Sequence, residues 1–228
     1  MSKNFLIDLL PKKTQGILLS EAELYELNHS EIICIANEPI GHLYFPIDGC
    51  ISIVQSIDDH PPLGIGVIGN EGMVGAEITL GASVHSFGML VQCAGSAWKI
   101  KSKDFLAEIK NTPELSHIIN HYLAVHMIQL GLTAACEHFH EIGPRLAKWL
   151  LMSQDRAQSP TFFMTHEFIS LMMGVRRVGI TTSAADFKRR GLIDYHRGEI
   201  TILNRFALKA EACSCYQRNR EICSPLIH

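Results

Sequence analysis

The sequence predicts an α+β chain in three stretches: an antiparallel β-roll or jelly roll, a long helix, and a helix–turn–helix unit closed by a hairpin. Three observations predict it. Short apolar or alternating runs fill residues 32–101 and are broken by Gly, Pro, Asn and Asp, at the roughly 8–12-residue spacing of antiparallel sheets. Leu115–Cys136 carries no formal charge but contains His117, Asn120, His121, His126 and Gln129. Near the end, two helical patterns separated by Gly174 are followed by "LIDYH" and "EITIL", which flank Arg197-Gly198 as a hairpin.

The elements follow in order. Residues 1–28 read as helical, and "SEAELYEL" (20–27) opens on Ser20 with Glu23 three residues later, as a capping box does. The β texture then runs through "EIICIA", "GHLYFPIDG", "CISIVQSI", "GIGVIGNEG", "FGMLVQCAG" and "SAWKI". Helical character resumes near Asp104, and Pro113 fits the first turn of the long helix, where proline sacrifices no hydrogen bond. That helix is apolar around most of its circumference, so it needs two partners. One is the β domain. The other is the same helix of a second copy, with Ile118, Tyr122, Val125, Ile128, Gln129 and Leu132 as candidate dimer residues; the alternative is an internal core helix. Gly143-Pro144 separates it from the helical run "RLAKWLLMSQDRA". The expected division is 1–110, 111–140 and 141–228.

Composition narrows the function. Apolar residues make up 47% and charged residues 19%, which excludes a disordered chain. The polar groups in 115–136 argue against a membrane span. The N-terminus lacks a secretory h-region, and seven cysteines are an odd number; together these predict a cytoplasmic chain with reduced thiols. The net charge of −3 hides an asymmetry: residues 1–140 hold 7 Lys+Arg against 15 Asp+Glu, and residues 141–228 hold 13 against 8. A basic second half suits a polyanionic partner.

That half carries the main site. Thr165 caps the first helix of the pair, and Gly174 supplies the turn. In the second helix Ile180, Ala184 and Phe187 share one face, which packs inward. Val178, Thr182, Ala185 and Arg189 lie opposite, flanked by Thr181 and Lys188. A small, nearly uncharged outer face suits insertion into a major groove better than it suits solvent. Arg176 and Arg177 lead that helix, while Lys188, Arg189 and Arg190 are candidate phosphate anchors. Thr165 and Arg197 complete the DNA-binding set.

The order of β-roll, long helix and winged helix-turn-helix resembles the Crp/Fnr superfamily of bacterial transcription regulators. The carriers are "HLYFPIDGCISIV", "GVIGNEGMVG", "PRLAKWLLMSQDR", "MTHEFISLMMGVRRVGITTSAADFKRRGLI" and "RGEITILNRFALKAEACSCY". The resemblance implies that Arg177, Val178 and Thr182 occupy base-reading positions. Val178 and Thr182 stand where the best-known members have Glu and Arg, so a different operator is expected. It also implies a sensor pocket, but the phosphate-binding Arg of cyclic-nucleotide-binding relatives has no counterpart between Gly69 and Lys99. Glu77 is displaced by one residue, and His85 or Ser86 stands near the position of that Arg. Glu77, His85 and Ser86 are the candidate effector residues, and cyclic AMP is not expected.

No cofactor and no metal are expected. The first cysteine is Cys34, so the iron–sulfur cluster of the oxygen-sensing branch is missing. Cys213, Cys215, Cys223 and His228 form a C-x-C…C…H arrangement, but two-residue spacing on a helix sends thiols to different faces, which favours structural cysteines. The pair His117 and His121 lacks further ligands in register. His166-Glu167 begins like a zinc-protease motif, but position 170 is Ser. Nothing supports an enzyme. The expected function is a homodimeric, sequence-specific transcription regulator on a pseudo-palindromic site, with double-stranded DNA, itself and RNA polymerase as partners and no membrane. The alternative is a ligand- or metal-sensing module that does not read DNA.

Overall fold

The computed structural model describes residues 2–227. Helices α1 (Phe5–Asp8) and α2 (Lys12–Ser20) lead into strands β1 (Ala22–Leu27), β2 (Ile32–Cys34), β3 (His42–Gln55), β4 (Leu63–Ile68) and β5 (Gly88–Lys101). All pairings are antiparallel: β1, β5, β3 and β4 lie side by side, and β2 also pairs with β5.

The capping box at Ser20 is not formed. Ser20 ends α2, its hydroxyl donates to the Ile17 carbonyl at 2.7 Å, and residues 22–27 are strand. The alternating sequence AELYEL pairs from Ala22↔Ile100 to Leu27↔Gly95. A complete ladder of backbone hydrogen bonds to a distant strand outweighs local helix propensity.

Strands β3 and β5 are long and bend together at Gly49 and Gly95. Gly49 has φ +78°, and a Cβ there would sit 2.6 Å from the Cys93 carbonyl oxygen; one on Gly95 would lie 2.4 Å from that of Asp48. Only glycine permits both approaches. The Asp48 carboxylate fixes the bend by accepting from the Ser96 N–H at 2.7 Å and its hydroxyl at 2.8 Å. "GHLYFPIDG" and "CISIVQSI" thus belong to one bulged strand instead of two.

Helix α3 (Ser102–Asn111) precedes the long helix α4 (Pro113–Phe139), which has Pro113 at its start. Its inner side buries Leu115, Ile119, Tyr122 and Val125 against the β domain. Tyr122 and Val125 therefore cannot form a dimer surface: both are buried in their own chain, and the Tyr122 hydroxyl donates to the Met73 carbonyl at 3.0 Å. Gln129 turns toward Asn219 and Cys223. The exposed side of α4 carries Ala124, Met127, Ile128, Gly131 and Ala135.

Helix α5 (Ile142–Ala157) is followed by β6 (Thr161–Phe163), α6 (His166–Met172), α7 (Arg177–Arg189), β7 (Ile193–His196), β8 (Glu199–Ile202), α8 (Arg205–Glu211) and α9 (Cys215–Ile227). Strand β6 adds a third strand to the expected hairpin. The hairpin turn places Arg197 and Gly198 at φ 48° and 90°, the left-handed pair of a type I′ connection.

One core joins the two halves. Cys50, Val67 and Cys93 of the sheet pack with Leu146, Trp149 and Leu150 of α5 and with Phe168 and Ile180 beyond it. A buried polar relay crosses the same boundary: Ser52 donates to the Gln92 side-chain oxygen at 2.6 Å, and the Gln92 amide donates to the Ser153 hydroxyl at 2.7 Å. Among the described residues, no helix is long and apolar enough to cross a membrane.

Candidate nucleic-acid interface

The Thr165 side chain accepts from the Phe168 N–H at 3.1 Å and so starts α6. At the turn Gly174 adopts φ +62°, and a Cβ there would lie 2.7 Å from Leu63 Cδ1. A residue with a side chain would face both a strained backbone and a collision. Gly179 has no such backbone demand, but a Cβ there would push on Ile142 Cδ1 at 2.7 Å. Small residues at these two points let α7 lie close against the body.

Helix α7 then sorts its residues by side. Ile180, Ala184 and Phe187 are buried. Arg176, Arg177, Val178, Thr181, Thr182 and Ala185 are exposed, Val178 by 67%. Arg176 occupies the N-cap without a side-chain hydrogen bond to the helix, so the first N–H groups of α7 point outward with the positive end of the helix dipole. That end, with two arginines beside it, is suited to phosphate oxygens.

The remaining cations differ in freedom. Lys188 donates to the Tyr195 carbonyl at 3.0 Å and pairs with Asp194 at 2.7 Å, tying α7 to the hairpin. Arg189 pairs with Asp186, and Arg190 pairs with Asp186 and Glu211. Arg177 approaches Glu167 only at 3.9 Å. Among the described residues, Arg176 and Arg197 have no ion-pair partner. Positive charge without an acidic partner is therefore found at Arg176 and Arg197, whereas Lys188–Arg190 are each paired.

His166 braces the face from behind. Its ring stacks on Tyr195, with centroids 4.0 Å apart, and its Nδ1 lies 3.2 Å from the Thr181 hydroxyl. Burial, reinforced by the positive charge of Arg177, holds its pKa below the usual histidine range. Sequence reasoning did not single out this brace, because its partners are 15 and 29 residues away.

Residues 144–211 match the Crp-like helix-turn-helix domain. Whole-chain likeness extends further. A putative regulator of the Crp/Fnr family from Eubacterium rectale superposes with a TM-score of 0.68 at 17% identity, covering 90% of this chain and 96% of that one. FixK2 from Bradyrhizobium japonicum gives 0.71 at 14% identity, covering 85% and 98%. The c-di-GMP-responsive global regulator CLP of Xanthomonas campestris gives 0.66 at 15%, covering 84% and 99%. No curated protein matches the chain by sequence. The chain shares the fold of these regulators, and its residues 144–211 carry a Crp-like helix-turn-helix domain.

The candidate sensor residues lie apart from α7. Glu77 belongs to a short 3-10 turn (Ala76–Leu80), and its carboxylate sits 3.2 Å from His85 Nδ1. Burial works to raise the Glu77 pKa, but the bond from His85 and backbone N–H groups outweigh it and hold it below the usual range. Ser86 is exposed, and its backbone N–H is one of the groups that hold the Glu77 pKa down. Glu77 and His85 are thus already engaged with each other. A cleft of about 510 Å³ opens elsewhere, between Asn70-Glu71, Asp155-Arg156 and the residues around Tyr216.

The tail cysteines need a correction. Cys213 lies in the non-helical link between α8 and α9, and Cys215 begins α9. The spacing argument against their convergence assumed a helix, which is absent there, and both thiols turn to the same place, beside Cys136. Cys223 is elsewhere, 2.9 Å from the Gln129 amide, and His228 lies outside the described residues.

Proposed function

We propose that the chain is a sequence-specific DNA-binding transcription regulator that acts as a homodimer on a pseudo-palindromic site. The observation that carries this reading is the outer face of α7. Val178, Thr181, Thr182 and Ala185 form an exposed small-residue surface behind the Arg176-Arg177 end. A helix of that profile fits a major groove and brings its leading residues to base edges. Residues 1–110 then sense, 111–140 dimerise and 141–228 read DNA.

The dimer surface supported by burial is the exposed stripe of α4: Ala124, Met127, Ile128, Gly131 and Ala135. Met127 is 71% exposed and Ile128 55%, at helical spacing on one side. Of the six residues expected there, Ile128 lies in this stripe, while half-buried Ile118 packs against the β-domain core and half-buried Leu132 against the Cys136 cluster. Two copies joined along it would set their α7 helices in successive major grooves, about 34 Å apart. The controlling signal is other than cyclic AMP, since Glu77 and His85 satisfy each other where a phosphate-binding arginine would be needed. Contact with RNA polymerase and a cytoplasmic location belong to the same reading, and no catalytic role is assigned.

A gel-shift titration against genomic fragments at two salt concentrations tests it. Selective retardation of some fragments, weakening steeply with salt, is the expected result. Equal binding to all fragments, or none, would favour the competing reading of a ligand- or metal-sensing module that does not read DNA.

A further inference from the structure

Four potential metal ligands meet at the junction of the long helix and the C-terminal domain. Cys136 lies on the last turns of α4, and His140 follows at its end, so their i, i+4 spacing sets both on one side. Cys213 and Cys215 arrive from the link between α8 and α9. The three sulfurs and one imidazole nitrogen all lie within 4.8 Å of one another. Cys136 Sγ and Cys213 Sγ are 3.6 Å apart, as are Cys215 Sγ and His140 Nδ1.

The two 3.6 Å separations match edges of a tetrahedral metal centre. A regular tetrahedron built on Zn–S bonds of about 2.3 Å and Zn–N bonds of about 2.0–2.1 Å has S···S edges near 3.8 Å and S···N edges near 3.6 Å. A disulfide would bring the sulfurs to about 2.05 Å. The donor set also selects the ion: three thiolates and one imidazole suit a borderline-soft cation, not Mg²⁺ or Ca²⁺.

Charge balance points the same way. Three thiolates, a neutral imidazole and a divalent cation sum to one negative charge. The ammonium of Lys148, a buried residue of α5, lies 3.2 Å from Cys136 Sγ and donates to it. A buried lysine needs a counter-charge, and the complete centre supplies one. A hydrogen bond from a cation to a ligating sulfur is also a common outer-shell support.

We propose that Cys136, His140, Cys213 and Cys215 form a tetrahedral Zn²⁺ site that pins the end of the long helix to the α8–α9 junction. All four ligand positions are filled by protein, so the centre is structural, with no open position for a substrate. Its location gives it a mechanical role. It fixes the angle between α4 and the domain carrying α7, and binding releases the thiol protons to solvent. The proposal does not depend on the DNA reading, because the site is defined by its own ligands.

Metal content of the full-length protein tests it. Reduced protein is stripped with a chelator, reloaded with Zn²⁺, freed of excess metal by gel filtration, and assayed by elemental analysis. One Zn²⁺ per chain is expected. Cys136→Ser and Cys213→Ser should each weaken Zn²⁺ by more than the ~10–100-fold that loss of an outer-shell partner costs, while Cys34→Ser and Cys223→Ser retain the full equivalent. Because the first two variants can also lose metal by misfolding, Co²⁺ is loaded into the unaltered protein as a second probe. Strong visible bands of a tetrahedral cobalt–thiolate centre support the site. Folded, reduced protein that retains no Zn²⁺, a weak octahedral Co²⁺ spectrum, or equal loss in Cys223→Ser overturns it.

Discussion

Arg156 and Glu71 form an ion pair shut away from solvent, with Nη2 and Nε of the arginine 2.5 and 2.8 Å from the same carboxylate oxygen. It joins α5 to the turn after β4 and so fastens the helix-turn-helix half to the β-roll half. Gly69 leaves the space that the arginine occupies, since a Cβ there would lie 2.5 Å from Arg156 Cγ. Removing one partner strands a buried charge. Arg156→Ala should therefore cost about 3–5 kcal/mol of stability, read as a fall in the urea midpoint. The double change Glu71→Gln with Arg156→Met should recover much of that loss. If the single variant unfolds at the wild-type midpoint, the pair does not fasten the halves.

The dimer assignment makes a separate prediction. Met127→Glu should convert the protein to a monomer in sedimentation, with helicity retained, because the side chain is solvent-facing in the single chain. Tyr122→Phe, by contrast, should remain dimeric and lose only the stability of its hydrogen bond to Met73, about 1 kcal/mol. A monomeric Tyr122→Phe together with a dimeric Met127→Glu would reverse the assignment.

Buried histidines set a pH dependence. Burial, then Arg177, lowers the His166 pKa, and burial lowers that of His126 against the opposing Gln129 bond. As pH falls, the unfolded chain therefore protonates first. Their contribution to stability is complete above the ordinary histidine value of about 6.5 and falls below it, until the folded rings also protonate. The urea midpoint should drop on acidification through that window, and His166→Gln should make the slope shallower. An unchanged slope in that variant would remove His166 from the account.

Arg177 and Arg197 should fail differently on DNA. Arg177→Ala should cost about 1–3 kcal/mol on a preferred site and relax selectivity there, whereas Arg197→Ala should weaken all sequences alike and reduce the salt dependence. Lys188→Ala is a poorer phosphate probe, because Lys188 also ties α7 to Asp194 and Tyr195. Competition titrations with specific and bulk duplexes separate the two effects.

The sequence made α7 legible because its signal is local: Ile180, Ala184 and Phe187 repeat at helical spacing, with turn glycines at both ends. The β1 segment is ambiguous for the opposite reason. AELYEL fits a capped helix or a strand, and only its ladder to residues 95–100 decides between them. The three residues of β6 are too few to show a period. Cys136 and Cys213, like Glu71 and Arg156, meet only through the tertiary fold, across 77 and 85 residues. Convergence of that kind leaves no trace in spacing. The exposed stripe of α4 falls between: apolar character all around that helix announces two partners, but not which side faces which.

The central claim is that α7 reads base sequence from a symmetric dimer. Selection of bound duplexes from a random pool measures this directly. The account predicts enrichment of an inverted repeat whose half-site centres lie about one helical turn, ~10–10.5 base pairs, apart. Arg177→Ala should flatten the enrichment at one position of each half-site. A pool that stays random after repeated rounds, while the protein remains folded and dimeric, would contradict the account.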